Sequence, residues 1–341
     1  MAELPEIASL WIGGRLSWLE QLCLKSFADA GHHVTLFSYA PVENLPAGVH
    51  EGDAARIFPG DPILRHARTG SPAIHADLWR LHLLRKTRKI WVDADMYCWR
   101  PFDFDAPHVF GWEKERLVCN AVLGLPPDSP ALNRLLEFFR DEYAVAPWLK
   151  PWQREHLEAA REAGTPVHMT EQDWGFTGPA AVTWFLRETG EIDRAQPQSV
   201  FYPVSFRDRN HMIQSRFDIP SRLGPETRGV HFWARRMKPR LEEKEGNRPR
   251  RGSFMHGLIA KHGIDPDAAP IPPKARPAAA RKDDPQFRAE IGLAALRGEE
   301  SVGQLSRRHS VDEAFVRDCR ERIERGAAEL FRGRAGGGSG A

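Results

Sequence analysis

The chain has 341 residues, of which 41% are hydrophobic and 28% charged, as in an ordinary soluble globular protein with material for one large domain or two smaller ones. The formal net charge is +2, so overall charge gives no argument for nucleic-acid binding. The four cysteines are far apart and form no CxxC pair, which argues against a disulfide framework or a zinc site and favours a reducing compartment.

No apolar run approaches the length of a membrane span, and residues 1–14 lack the basic region and apolar core of a secretion signal. These features predict a cytoplasmic protein. They leave open a peripheral contact with the inner face of the plasma membrane.

The first elements predict an α/β sheet. Residues 6–13 are typical of a buried strand that ends in a glycine turn, helical spacing runs from residue 17 to residue 30, and residues 32–39 favour a second strand. A helix is predicted after Ser71-Pro72, and strand 90–92 then carries two aspartates to the carboxyl end of the sheet, where open α/β folds bind ligands.

The later elements are predicted less regularly. A strand is expected over residues 117–125, helices over 129–144 and 178–190, and short strands near 199–206 and 228–234. Residues 235–252 are dense in charge and predict a mobile loop.

Composition predicts four segments. Residues 1–265 would form the main domain, residues 266–282 a Pro/Ala-rich linker, residues 283–332 a small helical module, and residues 333–341 a disordered Gly-rich tail.

Asp93 and Asp95 are the candidate ligand site. Two carboxylates at i and i+2 on an extended segment point to the same side, where they repel each other unless a positive partner lies between them. Mg²⁺ and Mn²⁺ prefer carboxylate oxygen and commonly share it with substrate phosphates. A DxD pair alone is a weak signal, but here an apolar strand carries it.

Longer motifs make the signal more specific. "SLWIGG" near the first strand, followed by "HADLWRLHLLRKTRKIWVDAD", resembles the DXD-motif, sugar-binding-region glycosyltransferases. That family includes bacterial capsule and lipooligosaccharide transferases, yeast-type mannosyltransferases and the large glucosylating toxins. The resemblance covers about residues 6–235. It implies a GT-A type fold with a mixed, mainly parallel sheet and a nucleotide-diphosphate sugar, most simply a UDP-sugar, as donor.

The resemblance also implies roles for individual residues. Trp11 would stack on the base, and Gly13 and Gly14 would let the backbone approach the nucleotide. Asp77 and Arg80 would bind the hydroxyls of the donor sugar.

Further roles concern the cation and the diphosphate. Asp93 would hold the ribose or assist Mn²⁺ or Mg²⁺, and Asp95 would ligate the metal directly. His231 would be a metal or diphosphate ligand, and Trp233 would contact the diphosphate.

Plainer interpretations stand beside these roles. Trp11 is also compatible with a core position, Asp77 and Arg80 with a surface i,i+3 pair, and His231 with a structural role. The family has Gly-Gly where this chain has Arg88 and Lys89, so either the local turn differs or these cations lie near the diphosphate.

Two further candidates follow from the same comparison. Asn120, on a strand that would lie behind the donor, is a possible sugar contact, and Asp173 is a candidate at the anomeric carbon or the acceptor. The related enzymes retain anomeric configuration, so no strong side-chain base is required. The expected reaction moves a hexose to a glycan, glycoconjugate or lipid-linked acceptor in surface polysaccharide synthesis.

Residues 285–331 resemble the helix-turn-helix module of insertion-sequence transposases, with helices expected over 285–296, 301–309 and 312–330. From Arg281 to Arg334 the chain has 12 Lys/Arg and 11 Asp/Glu, which argues against a DNA-binding surface. We therefore favour pairing with another copy of the chain or with another protein.

The sequence features are consistent with three functions. The first is a metal-dependent retaining glycosyltransferase, and the second is a DNA-binding regulator with a degenerate sugar-nucleotide domain. The third, a phosphatase with a DxD nucleophile, is weakened because Tyr97 stands where such a site needs Thr or Val.

Overall fold

The computed structural model describes residues 3–273, 282, 284–298, 300–309 and 311–332. The chain divides into two compact units. The first consists of Met1–Arg65 and Pro72–Pro273, and the second of His66–Ser71 and Lys274–Ala341. Residues 274–281 of the predicted linker and the whole Gly-rich tail lie outside the described residues.

Six strands of the first unit form one mixed sheet in the order β3-β2-β1-β4-β7-β6. Pairing is parallel from β3 through β4 and antiparallel from β4 through β6, so the predicted α/β class and mainly parallel sheet are confirmed. The strands are β1 Ile7–Trp11, β2 Val34–Ser38, β3 Val49–Asp53, β4 Ile90–Val92, β6 Val109–Lys114 and β7 Leu117–Gly124.

Both faces of this sheet are covered. Side chains alternate along a strand, so Ile90 and Val92 pack into one apolar cluster and Trp91, between them, packs into another on the opposite face. Continuous burial on both faces is typical of parallel strands.

The helices of the unit are α1 Trp18–Asp29, α2 Ala73–Lys86, α3 Pro130–Phe138, α4 Pro151–Glu162, α5 Pro179–Glu188, α6 Gln198–Phe201, α7 Ala234–Lys244 and α8 Phe254–His262.

A second, two-stranded sheet follows the aspartates. Strand β5, Met96–Cys98, pairs antiparallel with β8, Gly229–His231, and places Met96 opposite His231. The pair brings a segment near residue 230 beside the end of β4. It is this pairing that assembles the candidate site.

Three local expectations were wrong. Asp93 and Asp95 do not lie on an extended segment, because the chain turns between β4 and β5. The strand expected near residues 199–206 is instead the short helix α6. The first half of the expected loop 235–252 is helix α7, which buries Met237 and Leu241 against the core.

In the second unit, the described residues form the helices α9 Pro285–Arg297, α10 Val302–His309 and α11 Glu313–Arg332. They agree within two residues with the expected helices. Phe287, Ile291, Leu305 and Val316 form part of its apolar core. Gly292 allows close packing of α9 on α11, because a Cβ there would lie 2.6 Å from the carbonyl oxygen of Cys319. Among the described residues of the whole chain, no helix is long and apolar enough to span a membrane.

Candidate active site at the carboxyl edge of the sheet

The two aspartates lie in a tight turn at the carboxyl end of β4. The Asp93 amide donates to the Ala121 carbonyl at 2.7 Å, and the Met96 amide donates to the Asp93 carbonyl at 2.9 Å. The Asp95 carbonyl accepts from the Phe232 amide at 3.0 Å. These backbone bonds hold both carboxylates at the edge where the parallel strands end.

His231 completes a cluster with the aspartates. Its Nε2 lies 3.1 Å from Oδ1 of Asp95, and Asp93, Asp95 and His231 each offer a ligand atom within 4.8 Å of the others. Carboxylate oxygen suits Mg²⁺ and Mn²⁺, and imidazole nitrogen is a common ligand of divalent first-row metals. Nδ1 of His231 is buried and has no hydrogen-bond partner among the described residues. The cluster fits one divalent cation.

Electrostatics within the cluster are tightly coupled. Burial raises the pKa of Asp93, Arg80 opposes this and Asp95 adds to it. Burial would also raise the pKa of Asp95, but the charge and hydrogen bond of His231 and the Ala234 amide hold it below the ordinary value. Burial would lower the pKa of His231, yet Asp95 raises it. A proton on His231 and a bound cation therefore compensate the same negative charge.

Arg80 provides a protein cation for Asp93. Its Nη1 lies 3.2 Å from Oδ1 of Asp93, and its Nη2 lies 3.1 Å from Oδ1 of Asp77. Its guanidinium lies over the ring of Trp91, 4.5 Å from the ring centroid. The interpretation of Asp77 and Arg80 as a surface pair was wrong, since their side chains are only 13% and 6% exposed. Asp93 therefore already has one positive neighbour. In the described part of the chain, the partners of the Asp95 carboxylate within hydrogen-bond distance are His231 and the Ala234 amide.

Asn120 and Thr177 tie Asp77 in place. Nδ2 of Asn120 donates to Oδ1 of Asp77 at 2.9 Å, and the Thr177 hydroxyl donates to Oδ2 at 2.7 Å. Nη1 of Arg80 donates to the Asn120 carbonyl at 2.6 Å. The structure thus joins three predicted residues, Asp77, Arg80 and Asn120, in one network.

Sequence reasoning missed Thr177 and Gly178 as parts of this network. A Cβ at Gly178 would lie 3.3 Å from Oδ2 of Asp77, so the backbone of this segment packs directly against that carboxylate. The available signal was the hydroxyl of Thr177 beside Gly178, directly before the helix predicted over residues 178–190.

Trp233 borders the cluster, and Trp11 lies at the carboxyl end of the neighbouring strand β1. Trp11 is half-buried, its Nε1 lies 3.1 Å from the position of a Cβ at Gly13, and a Cβ at Gly14 would meet open space. The Trp233 ring centroid lies 4.0 Å from that of His231. Among the described residues, neither indole Nε1 has a hydrogen-bond partner. Trp233 has φ 55°, a left-handed conformation that is costly for a bulky residue and concentrates at functional sites.

Asp173 lies on the exposed loop before Gly178, and its Oδ2 accepts from Nε2 of Gln153 at 2.5 Å. The cluster of possible metal ligands found among the described residues does not include it. Its neighbour Trp174, which sequence reasoning did not single out, lies under the guanidinium of Arg235 at 3.6 Å.

Of the two alternatives for Arg88 and Lys89, the structure supports a different local turn and not a position near a diphosphate. Lys89 pairs with Glu6 at the amino ends of β4 and β1, which is the opposite edge of the sheet from Asp93. Neither residue has a left-handed φ, so the turn before β4 differs from one that needs glycine.

Comparison with protein-family models found no match, and comparison with curated proteins found none either. Among solved structures, the chain is similar to one described as "PaToxG Glycosyltransferase", with 14% identity and a TM-score of 0.36. The similarity covers 54% of this chain and 70% of that one. A likeness of this size carries no argument about function.

Proposed function

We propose that the chain is a metal-dependent glycosyltransferase of the GT-A type, which moves a hexose from a nucleotide-diphosphate sugar, a UDP-sugar, to a glycan or glycoconjugate. The observation that carries the proposal is the meeting of Asp93, Asp95 and His231 at the carboxyl edge of the sheet. Ligands of open α/β sheets bind at this edge. The quoted sequence motifs support the same reaction.

Asp95 and His231 would hold Mn²⁺ or Mg²⁺, with Asp93 as a third ligand or as a contact to the ribose. When bound, the cation would neutralise the diphosphate and stabilise it as a leaving group. Trp233, whose ring lies beside His231, would contact the diphosphate. The ligand set of Asp93, Asp95 and His231 supports binding of an anionic nucleotide through the cation.

The remaining residues would orient the donor. Trp11 would stack on the base while Gly13 and Gly14 admit the nucleotide backbone, and Asn120 would contact the sugar. The network of Asp77 and Arg80 would bind sugar hydroxyls and hold Asp93 in one orientation. Rigid placement of the reacting groups supplies a large part of catalysis when no strong base is present.

We further propose retention of anomeric configuration, with the donor phosphate taking the acceptor proton and Asp173 near the acceptor. The surroundings would be cytoplasmic, with lipid-linked or glycan acceptors of surface polysaccharide synthesis at the membrane. Helices α9–α11 would form a separate module that pairs with another copy of the chain. Residues 266–273 of the predicted linker belong to the first unit, where Ala269 and Ile271 are buried in the core.

The proposal is tested by incubating the full chain with UDP-sugars and Mn²⁺ and measuring UDP release. We expect release in the wild type, at least a hundredfold loss in Asp95→Asn, and no change in Asp105→Asn, which removes an exposed aspartate. Absence of release with every nucleotide sugar, together with tight, salt-sensitive binding to a DNA library, would favour the regulator instead.

A further inference from the structure

A group of arginines begins beside Trp233. Helix α7 has Arg235 and Arg236 in its first turn, where the helix dipole is positive and cations are unfavourable. Two arginines in this turn therefore lower the stability of the helix. Residues that conflict with local stability are expected at functional positions.

Arg235 and a further arginine, Arg209, each form an arginine–aromatic pair. The guanidinium of Arg209 lies 4.2 Å from the ring centroid of Phe206, and that ring lies 5.5 Å from Trp233. The guanidinium of Arg235 lies 3.6 Å over Trp174. Phe206 and Trp174 are each 41% exposed, which is high for large apolar side chains.

The arginines also lack acidic partners. Within the described part of the chain, no carboxylate forms an ion pair with Arg209, Arg235 or Arg236, whereas the neighbouring Lys238 pairs with Glu20 and Arg240 with Glu245. Nε of Arg209 and Oδ1 of Asn210 are buried and have no hydrogen-bond partner in the described part of the chain. Burial and the charges of Arg236 and Arg240 lower the pKa of Arg209. Among the described residues, these three guanidinium groups therefore form a positive surface without paired carboxylates.

We infer that Arg209, Arg235 and Arg236, with Phe206 and Trp174, form an acceptor subsite for a saccharide that carries an anionic group, a phosphate or a carboxylate. Guanidinium groups bind such oxyanions in a planar, bidentate manner, and exposed aromatic rings stack on the apolar face of a sugar. The inference rests on the proposed transferase function, because it assigns the acceptor of that same site.

The competing source of an anion is the donor diphosphate, so the test must separate the two. Tryptophan fluorescence of the full chain would be titrated with glucose 6-phosphate, glucose and inorganic phosphate, each with and without saturating UDP and Mn²⁺. We expect glucose 6-phosphate to half-saturate at a concentration at least tenfold below either of the others, whether or not UDP and Mn²⁺ are bound.

Variants locate the binding. Arg209→Gln and Arg236→Gln should each raise the half-saturating concentration of glucose 6-phosphate at least fivefold, and Asp95→Asn should not. The control is Arg134→Gln, which removes one positive charge from an arginine that lies over Phe185 but is paired with Glu188. Urea unfolding of each variant identifies any that fails to fold, and Arg236, being exposed, gives the cleaner substitution.

Several outcomes would overturn the inference. Displacement of glucose 6-phosphate by UDP and Mn²⁺ would assign the arginines to the donor diphosphate. Equal affinity for inorganic phosphate or for glucose would show that the site does not recognise an anionic saccharide. An unchanged affinity in both arginine variants would place the binding elsewhere. Failure of UDP and Mn²⁺ to bind at all, with glucose 6-phosphate still bound, would instead contradict the proposed transferase.

Discussion

Oδ2 of Asp95 accepts a hydrogen bond from the backbone amide of Ala234 at 2.7 Å, so the side chain that faces His231 also caps helix α7. Asp95 therefore has two functions that substitution can separate. It would ligate a cation, and it satisfies an amide that the first turn of α7 leaves without an intrahelical partner. The arginines of the proposed acceptor subsite stand on that same turn.

Asp95→Asn should remove metal binding with little loss of stability, because an asparagine oxygen still accepts from Ala234. Asp95→Ala should lose the cap as well, which costs about 1–2 kcal/mol of unfolding free energy. Thermal melts with and without Mn²⁺ and UDP, beside urea unfolding, measure both effects. A melting temperature that rises with Mn²⁺ and UDP in Asp95→Asn as in the wild type would contradict the role as a ligand.

Arg80→Met should destabilise the protein strongly. It would leave Asp77 and Asp93 as poorly exposed carboxylates without their cation, and breaking such a buried pair costs roughly 3–5 kcal/mol. The matched control is Arg154→Met, which breaks an exposed i,i+4 pair with Glu158 and should change the unfolding free energy by less than about 0.5 kcal/mol. Similar urea midpoints for the two variants would show that the Arg80 network adds little.

Gly178→Ala should impair donor use. The new Cβ would lie 3.3 Å from Oδ2 of Asp77 and push that carboxylate by a few tenths of an ångström. We expect a several-fold rise in the KM for the nucleotide sugar. Gly257→Ala, in helix α8 with open space around the Cβ, should leave KM unchanged and stabilise by about 0.5–1 kcal/mol.

His75 should make stability depend on pH. Burial and, to a lesser extent, Arg65 lower the pKa of His75 to about 4, and its Nδ1 accepts from the Leu64 amide at 3.3 Å while Nε2 lies 2.6 Å from the Tyr39 hydroxyl. The folded state holds this histidine neutral, so the unfolded state binds more protons between about pH 4 and pH 6.5.

Stability from His75 is therefore complete above about pH 6.5 and is lost as pH falls towards 4, by up to about 3 kcal/mol. Urea unfolding across this range should show the dependence in the wild type and a shallower one in His75→Gln. His156→Gln, on the exposed face of α4, serves as the control. An unchanged dependence in His75→Gln would assign it to other groups.

Much of the sheet could be predicted from sequence. The apolar run Ile90–Val92 and its following aspartates marked β4 and its carboxyl end, and the helix start at Ser71-Pro72 preceded α2. Strand β3 was missed because Val49–Asp53 has too few apolar residues to show the apolar–polar alternation of a strand. Helix α7 was missed because its charge predicted a loop, while the burial of Met237 and Leu241 and the cap from Asp95 favour a helix.

By itself, the sequence determined which residue types reach the edge of the sheet, because strand and helix periods depend on neighbours close along the chain. Tertiary structure alone decided their partners. His231 meets Asp95 only through the pairing of β5 with β8, and Thr177 meets Asp77 across 100 residues. Such contacts depend on how segments far apart in the chain pack together. The spacing of residues along the sequence does not predict that packing.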